Sequence, residues 1–202
     1  MSSSLNWLTN NYIEIIGAVS GLLYLYFSIH QKIWLWPLGI ITSGFYIIVF
    51  FQSSLYADMS LNVYYVMISM YGWYYWKYGK KKKEKILAIK RLNSVTLTIC
   101  IGVTVILWIA IVLLLRYIPA KLNISASDML ILDAFTTAAS IIATFLLARK
   151  YIENWLFWII IDLISMGMYI YKKLYPTTGL FLVYSVLAWI GYIEWKKNRT
   201  NA

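Results

Sequence analysis

Apolar residues run along the chain in seven long blocks separated by short polar segments, at about 11–29, 33–52, 57–76, 95–115, 129–148, 154–171 and 178–195. Each block is near the ~20 residues that an α-helix needs to cross the hydrocarbon of a bilayer. The third is the least apolar, but its Tyr, Trp, Met and small residues suit a helix buried among others. The pattern predicts an all-α integral membrane protein with seven transmembrane helices.

The blocks repeat. At a fixed offset of 119 residues Trp36 falls on Trp155, Leu55-Tyr56 on Leu174-Tyr175, Tyr65 on Tyr184, Gly72 on Gly191 and Trp76-Lys77 on Trp195-Lys196. No gap is needed from residue 36 to residue 77. The whole chain, 1–202, then reads as one membrane domain: a first repeat over about 11–77, a linker helix over about 95–115 and a second repeat over about 129–197. Two like halves enclose a site between them, and rocking one half against the other exposes that site to each side of the bilayer in turn. Duplication therefore points to a transporter.

Composition agrees with the pattern. Hydrophobic residues make up 61% of the chain, against about 45–50% in a soluble domain, and almost no sequence is left for a soluble module. The net charge of +10 sits mostly in loops between spans, so it reads as a topology signal and not as a nucleic-acid footprint. Lys32, the run from Lys77 to Arg91, Arg149-Lys150 and Lys196, Lys197 and Arg199 fall on one face, 14 of the 18 basic residues. Arg116, Lys121, Lys172 and Lys173 fall on the other. The basic face is cytoplasmic by the positive-inside rule, which puts the N-terminus outside and the C-terminus inside. Spans 1–3 and 5–7 then share one orientation, span 4 returns the chain, and the repeats are parallel, as in the small sugar transporters of the SWEET type. The cluster Lys80–Lys83 with Lys85, Lys90 and Arg91 is either that topology signal alone or a grip on anionic lipid. The first residues lack a basic n-region, so no cleaved signal peptide is expected.

Ionisable groups inside spans cost about 2.5–3.5 kcal/mol at a helix centre on insertion scales, and they usually have a task. Glu14 and Asp133 lie near the outer ends of spans 1 and 5, where they either satisfy neighbouring helices or help admit and bind a substrate. Asp162 lies mid-span. With Trp155, Trp158, Ser165 and Tyr169 it forms one face of span 6, at spacings of 3, 4, 3 and 4. Such a stripe serves either helix packing or binding. Paired indoles suit a flat ring, a charged ring gains cation–π attraction of about 0.5–2 kcal/mol, and a carboxylate balances its charge. Asn62, Tyr65 and Ser69, with Gly72 and Trp73 beyond them, share a side of span 3, opposite Tyr184 and Trp189 of span 7. They can bond a substrate's hydroxyls or amide, or simply bond helix to helix. Trp36 with Pro37 and Gly39 marks either a hinge or end-packing in span 2. The lone His30 is expected at the interface, and the lone Cys100 excludes an internal disulfide. No metal, nucleotide or nucleophile motif is present, so neither an enzyme nor a cofactor is expected. A lipid-acting membrane enzyme and a non-transporting receptor are the rival classes.

These residues resemble the PnuC family of nicotinamide riboside transporters. The matching text is Ile13-Glu14-Ile15-Ile16-Gly17, Phe50-Phe51-Gln52, Leu55-Tyr56-Ala57, Tyr71-Gly72-Trp73-Tyr74 and, above all, A-R-K-Y-x-E-N-W-x-x-W from Ala148 to Trp158. The resemblance spans about residues 11–197. It implies a facilitator in the bacterial inner membrane that carries a vitamin precursor down its gradient, with cytoplasmic phosphorylation by a vitamin kinase trapping the product. It also implies a homotrimer, with Trp155 and Trp158 flanking the ring and polar groups of spans 3 and 6 holding the rest. The chain departs from the nicotinamide riboside pattern in having Asp162 in place of an Asn and Ser69 in place of an amide. A related branch, PnuT, transports thiamine, whose aminopyrimidine suits a carboxylate. Nicotinamide riboside is the family default, and Asp162 favours thiamine.

Overall fold

A computed structural model describes residues 12–52, 56–79, 87–122 and 128–200. Within them lie seven α-helices and no strand: α1 Tyr12–Ile29, α2 Leu35–Gln52, α3 Tyr56–Tyr78, α4 Ser94–Leu122, α5 Leu130–Ala148, α6 Asn154–Tyr171 and α7 Tyr175–Thr200. All seven predicted blocks are helical. Four helices, over 94–117, 130–148, 154–171 and 175–199, are long and apolar enough by themselves to cross a membrane. α4 and α7 outrun their predicted blocks because a helix satisfies its own backbone and continues at little cost into the headgroup layer. Lys80–Lys83, Lys85 and the side chain of Glu14 lie outside the described residues.

The helices end for local reasons. α1 is closed by Gln31 at φ 53° and α5 by Lys150 at φ 61°. In both, the left-handed residue turns the chain so that two N–H groups reach back into the last turn. Gln31 N–H donates to Ser28 O at 3.1 Å and Lys32 N–H to Phe27 O at 2.8 Å, while Lys150 N–H donates to Leu147 O and Tyr151 N–H to Leu146 O, both at 2.9 Å. Residues 119 apart thus make the same bonds. Lys173, at φ 59°, closes α6 in the same way. Pro37 stands in the first turn of α2 and Pro176 in that of α7, where the missing N–H has no intrahelical acceptor to lose.

Packing closes a ring. α1 lies against α2 and α7, α2 against α3, α3 against α5, α5 against α6 and α6 against α7; α4 stands outside the ring, on α5. Trp108 fixes it there, donating its indole N–H to Ile131 O at 2.9 Å and meeting Phe135 edge-on.

The basic end of the ring is tied by four buried indoles. Trp36 meets Trp76 edge-on at 5.4 Å, Trp76 lies 6.2 Å from Trp195, and Trp195 meets Trp155 edge-on at 5.6 Å. Trp36 rests on Gly72 and Trp155 on Gly191, each so close that a Cβ there would sit 2.5–2.6 Å from the ring. Only glycine permits that approach. Segment 87–93 lies along the α5–α6 connection: Lys90 N–H donates to Lys150 O and Ile152 N–H to Lys90 O. Leu92 N–H donates to the Glu153 carboxylate at 3.0 Å, and Arg91 lies 3.8 Å from that carboxylate. Lys150 Nζ donates to Leu87 O at 2.6 Å and sits 4.8 Å above the Trp76 ring.

Candidate functional site

Inside the ring is a cavity of about 220 Å³. α1 contributes Gly17, Ser20, Gly21 and Tyr24, and α2 contributes Gly39, Thr42 and Ser43. α3 adds Tyr65 and Ser69, α5 Thr144 and α6 Trp158. One large apolar face, the Trp158 indole, thus looks on to a wall that is mostly hydroxyls and glycines. The glycines are required by close neighbours: the Tyr46 hydroxyl lies against Gly17 and the Tyr184 hydroxyl against Gly21. Tyr65 shares a hydrogen bond with Ser140 on α5. Beside it, Tyr64 donates to Ile141 O at 2.7 Å, holding α3 to α5.

Asp162 is buried at 5% exposure, one turn along α6 from Trp158. It does not line the cavity, and it lies within electrostatic reach of Tyr184. Among the described residues no Lys, Arg or His is within ion-pair distance of it. A carboxylate buried without a cation is costly, and a cationic ligand in the adjoining space would offset that cost.

The structure separates the sequence-predicted residues into groups. Trp158, Tyr65 and Ser69 meet at the cavity, and Asp162 and Tyr184, which do not line it, lie within electrostatic reach of one another. Trp36 and Trp155 do not line the cavity. They are 0% and 1% exposed within the indole cluster at the basic end, so Trp155 and Trp158 face different spaces. Tyr169 packs on Phe181 at 5.0 Å. Asn62 and Asp133 are half-buried away from the cavity, and the Asp133 carbonyl accepts the hydroxyls of Thr136 and Thr137. Trp73 and Trp189 are exposed. His30 caps α1 from outside, its Nδ1 2.9 Å from Tyr26 O. Among the described residues no group of His, Cys, Asp and Glu is placed to hold a metal.

Sequence reasoning missed the α1 and α2 wall: Ser20, Tyr24, Thr42, Ser43 and also Thr144. The repeat contained the signal for part of it. The 119-residue offset that aligns Trp36 with Trp155 also aligns Gly39 with Trp158 and Ser43 with Asp162.

Residues 11–197 match the family model described as nicotinamide mononucleotide transporter. The chain is 28% identical to the nicotinamide riboside transporter PnuC of Escherichia coli, over 92% of this chain and 85% of that protein. It is 23% identical to the riboflavin/roseoflavin transporter RibM of Streptomyces davaonensis, over 90% of this chain and 83% of that one. The crystal structure of the vitamin B3 transporter PnuC has the same fold, with a TM-score of 0.76 at 21% identity, covering 99% of this chain and 87% of that one. These relatives are transporters, not enzymes. A ring of six helices around a cavity, with a seventh helix outside it, matched along nearly the whole chain, places the protein in the nicotinamide mononucleotide transporter family, the multi-pass membrane transporters that include PnuC.

Proposed function

We propose that this chain is a facilitator for a small, flat-ringed vitamin precursor, which it passes down its gradient across the bacterial inner membrane. The observation that carries this reading is the cavity: one indole, Trp158, faces a wall of hydroxyls, with an unpaired carboxylate, Asp162, one turn away. The indole stacks on the ring, Asp162 balances its positive charge through space, and Tyr65, Ser69 and Tyr184 hold the polar remainder. Nicotinamide riboside is the substrate that the PnuC relatives' names suggest. Thiamine is the second reading, favoured by Asp162 and Ser69. A cavity of about 220 Å³, below the roughly 300–1,000 Å³ of drug-sized sites, suits these two better than a tricyclic flavin.

The two repeats work as parallel halves that rock about this site, with the basic end in the cytoplasm and the N-terminus outside. Transport needs no energy source, because phosphorylation by a cytoplasmic kinase traps the vitamin. The protein works as a homotrimer in which each chain has its own site.

Proteoliposome uptake and calorimetry test the reading. Purified protein is expected to bind thiamine or nicotinamide riboside and to equilibrate it across vesicles without ATP or an ion gradient. Asp162→Asn is expected to shift preference toward nicotinamide riboside. Binding without flux would make the protein a receptor, and binding of neither vitamin would overturn the proposal.

A further inference from the structure

The cavity has two unlike walls, and the repeat shows how they diverged. On α6 the stripe reads Trp155, Trp158, Asp162; at the same register on α2 it reads Trp36, Gly39, Ser43. The first members are still equivalent, since each indole lies over a glycine of the following helix in sequence, Gly72 or Gly191. The next two are not. Where α6 presents an indole, α2 presents bare backbone, and where α6 has a carboxylate, α2 has a hydroxyl. Thr42 stands beside Ser43, and both line the cavity.

Ser43 is 8% exposed. Among the described residues neither its hydroxyl nor that of Thr42 has a hydrogen-bond partner, whereas Ser20, Thr104, Thr136, Thr137, Thr144 and Thr178 each return a bond to their own helix. Thr42 is half-buried, and because both residues line the cavity their unreturned hydroxyls stay available to a ligand. Two such groups side by side, facing open space, form a site for something that donates and accepts hydrogen bonds. Gly39 keeps that space open. A Cβ there would stand 3.0 Å from Ser69 Oγ and 3.2 Å from the Tyr24 ring.

We infer that Gly39, Thr42 and Ser43 form the subsite for the hydroxylated arm of the substrate, with Thr42 and Ser43 bonding its alcohol groups while the ring lies on Trp158. This rests on the proposed vitamin transport and deepens it. The α6 wall selects for a ring and its charge, and the α2 wall selects for an arm bearing alcohols. A ring without such an arm leaves both hydroxyls unpaired, and is rejected for that reason.

The test pairs whole vitamins with arm-less probes. The whole vitamins are nicotinamide riboside and thiamine; the probes are N-methylnicotinamide, which keeps the cationic ring, and the thiamine analogue with ethyl in place of hydroxyethyl. Each is titrated calorimetrically into purified wild type, Thr42→Val, Ser43→Ala and Gly39→Ala. Thr42→Val and Ser43→Ala are each expected to weaken the whole vitamin by about five- to tenfold and the arm-less probe by less than twofold. Gly39→Ala, which narrows the arm's space and spares the hydroxyls, is expected to give the same split. Equal losses for whole and arm-less ligands, or no loss for either, would overturn the subsite while leaving vitamin binding intact. Failure of wild type to bind either vitamin would remove the transport reading, and the subsite with it. Melting temperatures within a few degrees of wild type exclude misfolding as the cause of a loss.

Discussion

Trp76 donates its indole N–H to the carbonyl of Ala148 at 3.1 Å, and the same bond recurs one repeat later, where Trp195 donates to Ile29 at 3.2 Å and to Ser28 at 3.0 Å. One runs from α3 to the last turn of α5, the other from α7 to the last turn of α1. The Ala148 and Ile29 carbonyls end their helices without intrahelical donors, so the indoles satisfy them and tie α3 to α5 and α7 to α1. Trp76→Phe and Trp195→Phe keep the aromatic packing and remove the donor. Each is expected to cost about 1–2 kcal/mol of stability, read as a lower midpoint of unfolding in detergent, with vitamin affinity within about twofold of wild type. An unchanged midpoint in both variants would show that the carbonyls find other donors.

Glu153 is the acid of the most distinctive sequence stretch, yet it does not line the cavity. Its carboxylate accepts the Leu92 N–H and faces Arg91, fastening segment 87–93 to the α5–α6 connection. Glu153→Ala leaves a buried N–H unpaired and is expected to lower stability by about 1–3 kcal/mol. Calorimetry on the folded variant should return wild-type affinity. A loss of binding with no loss of stability would assign Glu153 to the site.

That stretch shows what was legible in the sequence and what was not. Seven apolar blocks sufficed for the helix count, because hydrophobic run length acts locally, whereas the near-identical turns at Gln31 and Lys150 emerge only in the structure. Trp158, Tyr65 and Ser69 were legible as cavity residues because a helix face is fixed by spacing. For Trp36 and Trp155, packing was one of two open readings, and the sequence did not decide between them. Their fate depends on Gly72 and Gly191 from a neighbouring helix, which leave room for a whole indole, and helix spacing contains no information on which neighbour leaves room. The α2 wall was hidden for the same reason: Thr42 and Ser43 look like ordinary helix-facing hydroxyls until α6 is set opposite them.

Lys150 links this end of the molecule to pH. Burial lowers its ammonium pKa to about 8 from an ordinary 10.5. Between these values the unfolded chain holds a proton that the folded chain has released, so stability rises with pH across that window. Below about pH 8 both states are protonated, and the cost of burying the charge is present in full. The unfolding midpoint of wild type, taken relative to Lys150→Met, is therefore expected to climb from pH 8 to pH 10. A difference that stays flat over this range would mean that the Leu87 carbonyl and the Trp76 ring hold the charged form as well as water does.

The two tryptophans of α6 provide the sharpest contrast, because they are three residues apart on one helix and face different surroundings. Trp155 is 1% exposed, lies over Gly191 and meets Trp195 edge-on, so its truncation opens a void in the indole cluster. Trp158 lines the cavity, so its truncation removes a ligand surface instead. Trp155→Leu is expected to cost about 2–4 kcal/mol of stability and to leave the affinity of the folded fraction within about threefold of wild type. Trp158→Leu is expected to cost less stability and to weaken vitamin binding by about five- to thirtyfold, since stacking and cation–π contact on one indole amount to roughly 1–2 kcal/mol. Calorimetry and thermal unfolding on the same preparations read both quantities. If Trp155→Leu instead lost affinity without losing stability, the ring would lie between the two indoles after all, and the site would have to extend toward the basic end of the ring.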